Sequence, residues 1–432
     1  LVEPIPFLYP IYKSDKQGPF LVRLGMMVYE TLSSFQNHRM FRMLKPADCQ
    51  EHCPDINMDG LRGAAYYYDA SVDDARLVIE SAKSGVREGG WAFNRIMVTG
   101  LIKDEETGQL QGVHALDLLS GERHSFTADV ILNATGAWVD GLRAMDSGER
   151  PSVLRPTKGV HLIVPKDRLR QNCTLAFNSV QDRRLMFSIP WGDVTLIGTT
   201  DTDYDGDKDT VTATMEDVDY ILEATNHAFP GTDIGYDDVL STFAGLRPLV
   251  ANPEADDPGA VSREHEIFQD PSGLISIAGG KLTTYRLMAR ELVDLVVSRM
   301  DPERRSTLQR CTTHEPICGE PIDVEEAITA LMDSEGFAPD IARHLIRTDG
   351  PAVDEGLTTA DSIKEGRERI TPDLPYLRGE TAYAVRFEGA VDVGDVLTRR
   401  LRAAIWSEGQ GLSAAEPISR LIADELGFSE EQ

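Results

Sequence analysis

No stretch of the 432-residue chain reaches the roughly 18 consecutive apolar residues that a membrane-spanning helix needs. The opening Leu1-Val2-Glu3-Pro4-Ile5-Pro6 has no basic segment of the kind that starts a signal peptide. Cysteine is scarce and odd in number: Cys49, Cys53, Cys173, Cys311 and Cys318. Without a secretory signal, that count argues for reduced thiols and a cytoplasmic protein. Cys49, His52 and Cys53 imitate one corner of a zinc site. A second ligand pair at zinc spacing is missing, so no metal is expected. Lysine is also scarce, at 10 of the 43 basic residues, against 71 acids and a net charge of −28. Such a chain is repelled by nucleic acid. Its acidic, lysine-poor surface suits a high-salt cytoplasm, where screening removes the self-repulsion, and a halophilic source is the expectation. There is no internal repeat and no low-complexity tract.

What is present is the composition of an ordinary soluble globular protein, 41% hydrophobic and 26% charged, long enough for two or three domains. Helical spacing over 20–36 suggests a buried face made of Met26, Met27, Tyr29 and Leu32. A strand over 59–70 leads into a helix over 72–87 whose first acids, Asp73 and Asp74, suit the positive end of the helix dipole. Alternation marks strands at 95–101, 110–118 and 122–126, followed by the apolar run 130–132. Further strands are expected at 160–164, 184–189, 195–198, 239–243 and 274–278, with helices over 216–228 and 282–300. Residues 304–319 read as a linker, and 323–432 as an all-α domain.

Three places could carry chemistry. Asn133-Ala134-Thr135-Gly136-Ala137-Trp138 ends a buried strand in small residues, which lets a nucleotide approach the backbone. Gly279-Gly280-Lys281 ends another strand where a helix begins, so free amides and a lysine would form an anion site. The same glycines could serve only a tight turn. The third is a set of basic residues in β context: Lys158 and His161 on one strand, Arg247 in Ala244-Gly245-Leu246-Arg247-Pro248-Leu249, and Arg263. Gathered in a cleft they would trap a small phosphorylated anion; apart, each is an ordinary surface cation or a core histidine. Ile197-Gly198-Thr199-Thr200-Asp201 could bind a polar ligand or cap a hairpin.

Several runs closely resemble those of the FAD-dependent glycerol-3-phosphate dehydrogenases, a branch of the D-amino-acid-oxidase-like flavoproteins. They are 133–138, Arg155-Pro156-Thr157-Lys158-Gly159-Val160-His161-Leu162, 197–201, 244–249 and Gly279-Gly280-Lys281-Leu282-Thr283-Thr284-Tyr285-Arg286. In the C-terminal region Tyr383-Ala384-Val385-Arg386 and Asp395-Val396-Leu397-Thr398-Arg399-Arg400 match as well. The resemblance implies a mixed α/β chain. An FAD-binding Rossmann-like domain would occupy 1–305, with an antiparallel substrate-binding sheet inserted at about 143–265 and a C-terminal helical domain over 306–432. It implies FAD contacts at Val98, Gly136, Ala137, Trp138, Gly280, Leu282 and Thr283. Lys281, Arg263 and Lys158 would bind substrate, Arg247 would face it near the flavin, and His161 would be the general base.

The activity so implied is oxidation of sn-glycerol 3-phosphate to dihydroxyacetone phosphate. Hydride would pass from C2 to flavin N5, and electrons onward to a quinone. A peripheral position on the cytoplasmic face of the membrane and a homodimer are compatible with the resemblance. A related flavin oxidase acting on an amino acid is the alternative enzyme, and a non-catalytic remnant the alternative class. The chain departs from the family at one point: the Gly-x-Gly-x-x-Gly turn that cradles the FAD pyrophosphate is not in this sequence. The expectation is therefore an N-terminally truncated chain that holds FAD weakly.

Overall fold

The computed structural model describes residues 2–148, 152–251, 264–308 and 316–428. Its strands are β1 (Val2–Tyr12), β2 (Arg42–Leu44), β3 (Leu61–Val72), β4 (Ile96–Lys103), β5 (Leu110–Asp117), β6 (Arg123–Thr127), β7 (Leu132–Asn133) and β8 (Leu154–Pro165). They continue with β9 (Thr174–Asn178), β10 (Leu185–Trp191), β11 (Val194–Gly198), β12 (Thr202–Asp203), β13 (Ser241–Val250), β14 (His265–Gln269) and β15 (Ile275–Gly279). The helices used below are α1 (Pro19–Leu32), α2 (Pro46–His52), α3 (Asp74–Arg87), α4 (Val139–Ser147), α5 (Met215–Ala228) and α6 (Tyr285–Arg299).

Nine strands form one sheet in the order β12-β8-β11-β10-β9-β1-β3-β2, with β13 on the other side of β8. Two three-stranded sheets, β14-β15-β7 and β4-β5-β6, complete the β structure. The large sheet thus extends beyond the expected 143–265 and takes three strands from the first 72 residues. The sequence pattern set no strand in 2–12, and β1 carries Pro4, Pro6 and Pro10. All three prolines sit at even positions, and successive backbone N–H groups point to opposite neighbours. The lost donors therefore fall on one side. β1 pairs with β3 along its whole length but with β9 only at Phe7 and Leu8.

Residues 154–165 are buried on both faces of the strand. Val160, Leu162 and Val164 are buried in the main core, against Val218, Ile221 and Leu222 of α5. Lys158 lies on the same face of the strand, and its Nζ donates to Asp217 Oδ2 at 2.6 Å with both side chains buried. Cys49, Cys53 and Cys173 fill the same core, and burial pushes all three thiols up. Helix α1 forms where periodicity placed it, but Met27, Tyr29 and Leu32 of the expected buried face are exposed. It meets the sheet through Tyr29, edge-on to Tyr67 of β3 at 6.1 Å. The residue it does bury is Glu30, whose carboxylate accepts from Asn37 Nδ2 (3.0 Å) and Phe41 N (2.9 Å).

A short helix, α7 (Pro302–Ser306), follows α6; residues 324–426 are mainly helical, as the pattern indicated, with α8 (Val324–Glu335), α9 (Pro339–Asp349), α10 (Val353–Asp361) and α11 (Arg378–Glu388) ahead of the last long helix, Ala415–Leu426. Buried ions dock them onto α3: Arg76 pairs with Glu388 of α11 and, at 3.3 Å, with Glu80. Arg402 pairs with Asp73 and Asp74 and lies over the Trp191 ring of β10. Trp191 packs edge-on to Trp406 at 4.0 Å.

Two outcomes are expected. Lys158→Met leaves the buried Asp217 carboxylate without its counter-charge, and chemical unfolding is expected to show a loss of about 3 kcal/mol. Burial raises the Asp349 carboxyl from 3.8 to about 7. The folded chain then keeps a proton that the unfolded chain releases, so this group's contribution falls as pH rises from 3.8 to about 7. Asp349→Asn should raise the melting temperature at pH values above that window and not below it.

Candidate functional site

Period-two alternation puts Thr157, Gly159 and His161 on the face of β8 opposite to Lys158. The register of β13 pairs Phe243 with His161, Gly245 with Gly159 and Arg247 with Thr157, so those side chains share that face. Phe243 stacks on the His161 imidazole with ring centroids 4.9 Å apart and planes 17° apart. Two glycines make room for this pair. A Cβ on Gly198, opposite His161 on β11, would lie 2.5 Å from His161 Cδ2. A Cβ on Gly159 would lie 2.5 Å from Arg247 Nη2. Gly198 would also meet the Val160 carbonyl oxygen at 2.9 Å, so it is required where it stands, whereas a side chain at Gly159 would displace the guanidinium of Arg247.

Arg247 is held by the segment that leaves β11. Its Nη1 donates to Thr200 O and Asp201 Oδ1, both at 3.2 Å, and its Nη2 to Thr199 Oγ1 at 3.1 Å. Thr200 Oγ1 accepts from Val160 N at 3.0 Å, which ties that segment back to β8. The segment at 197–201 thus bonds to its neighbouring strand, as weighed for it, and the same residues hold Arg247. His161 is held well below its ordinary value, at about 4, first by burial and then by the charge of Arg247, with Asp74 acting in the opposite sense. It is therefore neutral at physiological pH. Its Nδ1 is buried with no hydrogen-bond partner among the described residues.

The second half of the site stands at the ends of β7 and β15, which run parallel, with Leu132 beside Ile275 and Asn133 beside Ser276. Crevices at the carboxyl ends of parallel strands are where such sheets receive ligands. After β7 the chain turns at Gly136 (φ +57°) into a single helical turn, Gly136–Trp138, and then α4. Buried Asn133 braces the turn, donating from Nδ2 to Val139 O (3.0 Å) and Ser276 Oγ (3.1 Å) and accepting from Thr135 Oγ1 (2.7 Å). A Cβ on Gly136 would meet nothing within 4 Å, so the backbone is open to an approaching group. After β15, Gly279 and Gly280 take φ of +77° and +82°, and a short turn at Leu282–Thr284 starts α6. Lys281, Leu282 and Thr283 are exposed at that helix entry, and Trp138 is half-exposed.

The two halves adjoin. A Cβ on Gly279 would lie 2.8 Å from Val250 Cγ2 at the end of β13, three residues beyond Arg247, and the Gly136–Trp138 turn is in contact with both β13 and β15. The turns at Gly136–Trp138 and Gly279–Gly280 thus stand beside the Val250 end of β13, and His161 and Arg247 share one face further along the β8–β13 pair. The structure places Lys158 elsewhere, on the opposite face of β8 in its pair with Asp217. The physical reason is parity: Lys158 and His161 are three residues apart, an odd number along a strand. Val98 lies in the β4-β5-β6 sheet, opposite Ala115. Arg263 lies outside the described residues. The sequence reading missed Phe243, Gly159 and Gly198 as parts of the site. The glycines had a signal, since both sit inside apolar strand runs where glycine usually marks a close approach; Phe243 had none.

Residues 14–295 match the family model described as FAD dependent oxidoreductase, and residues 310–432 match the C-terminal domain of alpha-glycerophosphate oxidase. The aerobic glycerol-3-phosphate dehydrogenase of Staphylococcus haemolyticus is 32% identical over 433 aligned residues, which cover 98% of this chain and 77% of that protein. The enzyme of the same description from Staphylococcus aureus strain MRSA252 is likewise 32% identical, with the same coverage. Among solved structures, the glycerol-3-phosphate dehydrogenase from Bacillus halodurans complexed with FAD superposes with a TM-score of 0.80 at 34% identity, covering 100% of this chain and 79% of that one.

The electrostatics of the crevice can be read directly. A histidine NMR titration of the resting protein is expected to place the His161 midpoint near pH 4. Arg247→Met should raise that midpoint, because removing a nearby positive charge favours the imidazolium; an unmoved midpoint would detach the two residues.

Proposed function

The chain belongs to the FAD-dependent glycerol-3-phosphate dehydrogenase family, and from that we propose that it oxidises sn-glycerol 3-phosphate at C2 to dihydroxyacetone phosphate and passes the electrons to a quinone. The observation that supports this most is the convergence of neutral His161 and clamped Arg247 on one face of β8, beside the two turns at the ends of β7 and β15. On the same reading, 1–305 forms the FAD-dependent oxidoreductase domain with its substrate sheet, and 306–432 the C-terminal helical domain.

The residues present suit a flavin. Gly136 leaves its backbone open, Trp138 and Leu282 offer apolar surface at the two turns, and Lys281 sets a positive charge at the entry of α6. We assign Gly136, Ala137, Trp138, Gly280, Leu282 and Thr283 to the flavin contacts and Val98 to the adenine end. When bound, FAD supplies the two-electron acceptor that no side chain can provide. The rest falls to this chain. Lys281 and Arg263 bind the phosphate of the substrate. Arg247 donates to the C2 oxygen and favours its anionic character as the hydroxyl proton leaves. His161, neutral at physiological pH, receives that proton. A value near 4 makes resting His161 a weak base, and the dianionic substrate beside it shifts its basicity upward, toward the range where proton transfer is efficient.

With FAD-loaded protein and a quinone analogue as acceptor, glycerol 3-phosphate should be oxidised and glycerol should not. His161→Gln is expected to lower kcat by about 100-fold or more with little change in KM. Lys281→Met should instead raise KM for glycerol 3-phosphate, as loss of a uniform binding contact does. Equal turnover of glycerol, or wild-type rates in both variants, would rule the assignment out.

A further inference from the structure

We infer that Asp201 is a positioning residue for this reaction: its buried carboxylate joins Arg247 to Arg184 and so fixes the guanidinium that meets the substrate. The inference rests on the proposed function only for the reaction that Arg247 serves. The geometry stands by itself. Asp201 is 6% exposed, and its two oxygens are divided between two arginines: Oδ1 accepts from Arg247 Nη1 at 3.2 Å, and Oδ2 pairs with Arg184 Nη1 at 2.7 Å. Arg184, just ahead of β10, is in turn held by Asp182, which accepts from Arg184 Nε at 3.4 Å and from Tyr220 OH of α5 at 2.8 Å. Signs alternate along Asp182, Arg184, Asp201 and Arg247. The row runs from the helix that covers the core face of the sheet to the face that carries His161.

This arrangement does two things that an arginine alone could not. An arginine side chain has many rotamers, and holding it in one costs conformational entropy. Here that cost is met before substrate arrives, by Thr199, Thr200 and Asp201 along one edge of the guanidinium and by the space over Gly159. Pre-ordering of this kind is what turns a binding group into one that acts on the reacting oxygen. Asp201 also offsets part of the positive charge that Arg247 places beside His161, which keeps the imidazole from becoming a still poorer proton acceptor. The charges acting on that imidazole are those of Arg247 from β13 and Asp74 at the start of α3, and Asp201 acts through Arg247, 3.2 Å from its Nη1.

The test is Asp201→Asn in the FAD-loaded protein, which keeps the shape and removes the charge, with Asp201→Glu as the conservative variant. The Asn variant is expected to keep its FAD with a lowered melting temperature that leaves it folded at the assay temperature, to lose about 100-fold in kcat with a smaller change in KM, and to show a lower His161 midpoint by NMR. The Glu variant should recover part of the rate. Crystals of the Asn variant should show Arg247 in more than one rotamer. Wild-type kcat with an unmoved His161 midpoint would overturn the inference. So would a loss of rate explained wholly by lost FAD or lowered melting temperature in both variants. If even the parent protein fails to oxidise glycerol 3-phosphate, the proposed function falls, while the His161 midpoint and the Arg247 rotamer still decide whether Asp201 positions Arg247.

Discussion

The register of β8 against β13 is the constraint on which the site depends. A strand gives each residue one of two faces, and a slip of one position exchanges them all. In the observed register Val160, Leu162 and Val164 go to the core, and Lys158 goes with them into its ion pair with Asp217. The other parity receives Gly159 and His161, opposite Gly245 and Phe243. The long β8–β13 pairing holds that register, with Ile163 buried on the His161 side as Val160, Leu162 and Val164 are on the other. The alternation of the strand therefore decides which basic residue shares a face with Arg247 and which does not.

The second requirement is space. The imidazole of His161 and the guanidinium of Arg247 lie flat against strands whose own side chains would collide with them, and Gly198 and Gly159 remove those collisions. Each glycine weakens its strand relative to a β-branched residue. The sheet tolerates that cost because β8 is paired on both sides, by β11 and β13. Pairing, close approach and the clamp from Thr199 to Asp201 act together, so the position of Arg247 is determined by the backbone before any ligand binds.

Much of this was legible in the sequence. The strand–small turn–helix passages at 133–138 and 279–286 reveal themselves by glycine and by the change of period, and β7, β15 and α6 lie close to where the pattern set them. The all-α character of 323–426 was equally plain. Three things were not legible. Lys158 reads as a companion of His161 because their numbers are close, and only the parity of a strand separates them. Met27 and Leu32 follow a helical stripe, yet α1 meets the sheet through Tyr29 and buries Glu30, a contact that periodicity cannot foresee. β1 was not expected, and its prolines are tolerated because all three lie on the side where pairing is brief. The missed features depend on pairing partners distant in sequence; those found depend on local backbone chemistry.

The central claim is that one crevice, formed by the His161–Arg247 face and the turns at Gly136 and Gly280, brings glycerol 3-phosphate to the flavin. Its most direct test is the visible absorbance of the FAD-loaded protein, free of oxygen and of any other acceptor, as substrate is added. The account expects sn-glycerol 3-phosphate to bleach the oxidised flavin band in proportion to bound FAD, and an amino acid such as glycine to leave it unchanged. A band untouched by glycerol 3-phosphate, or bleached equally by the amino acid, would contradict it.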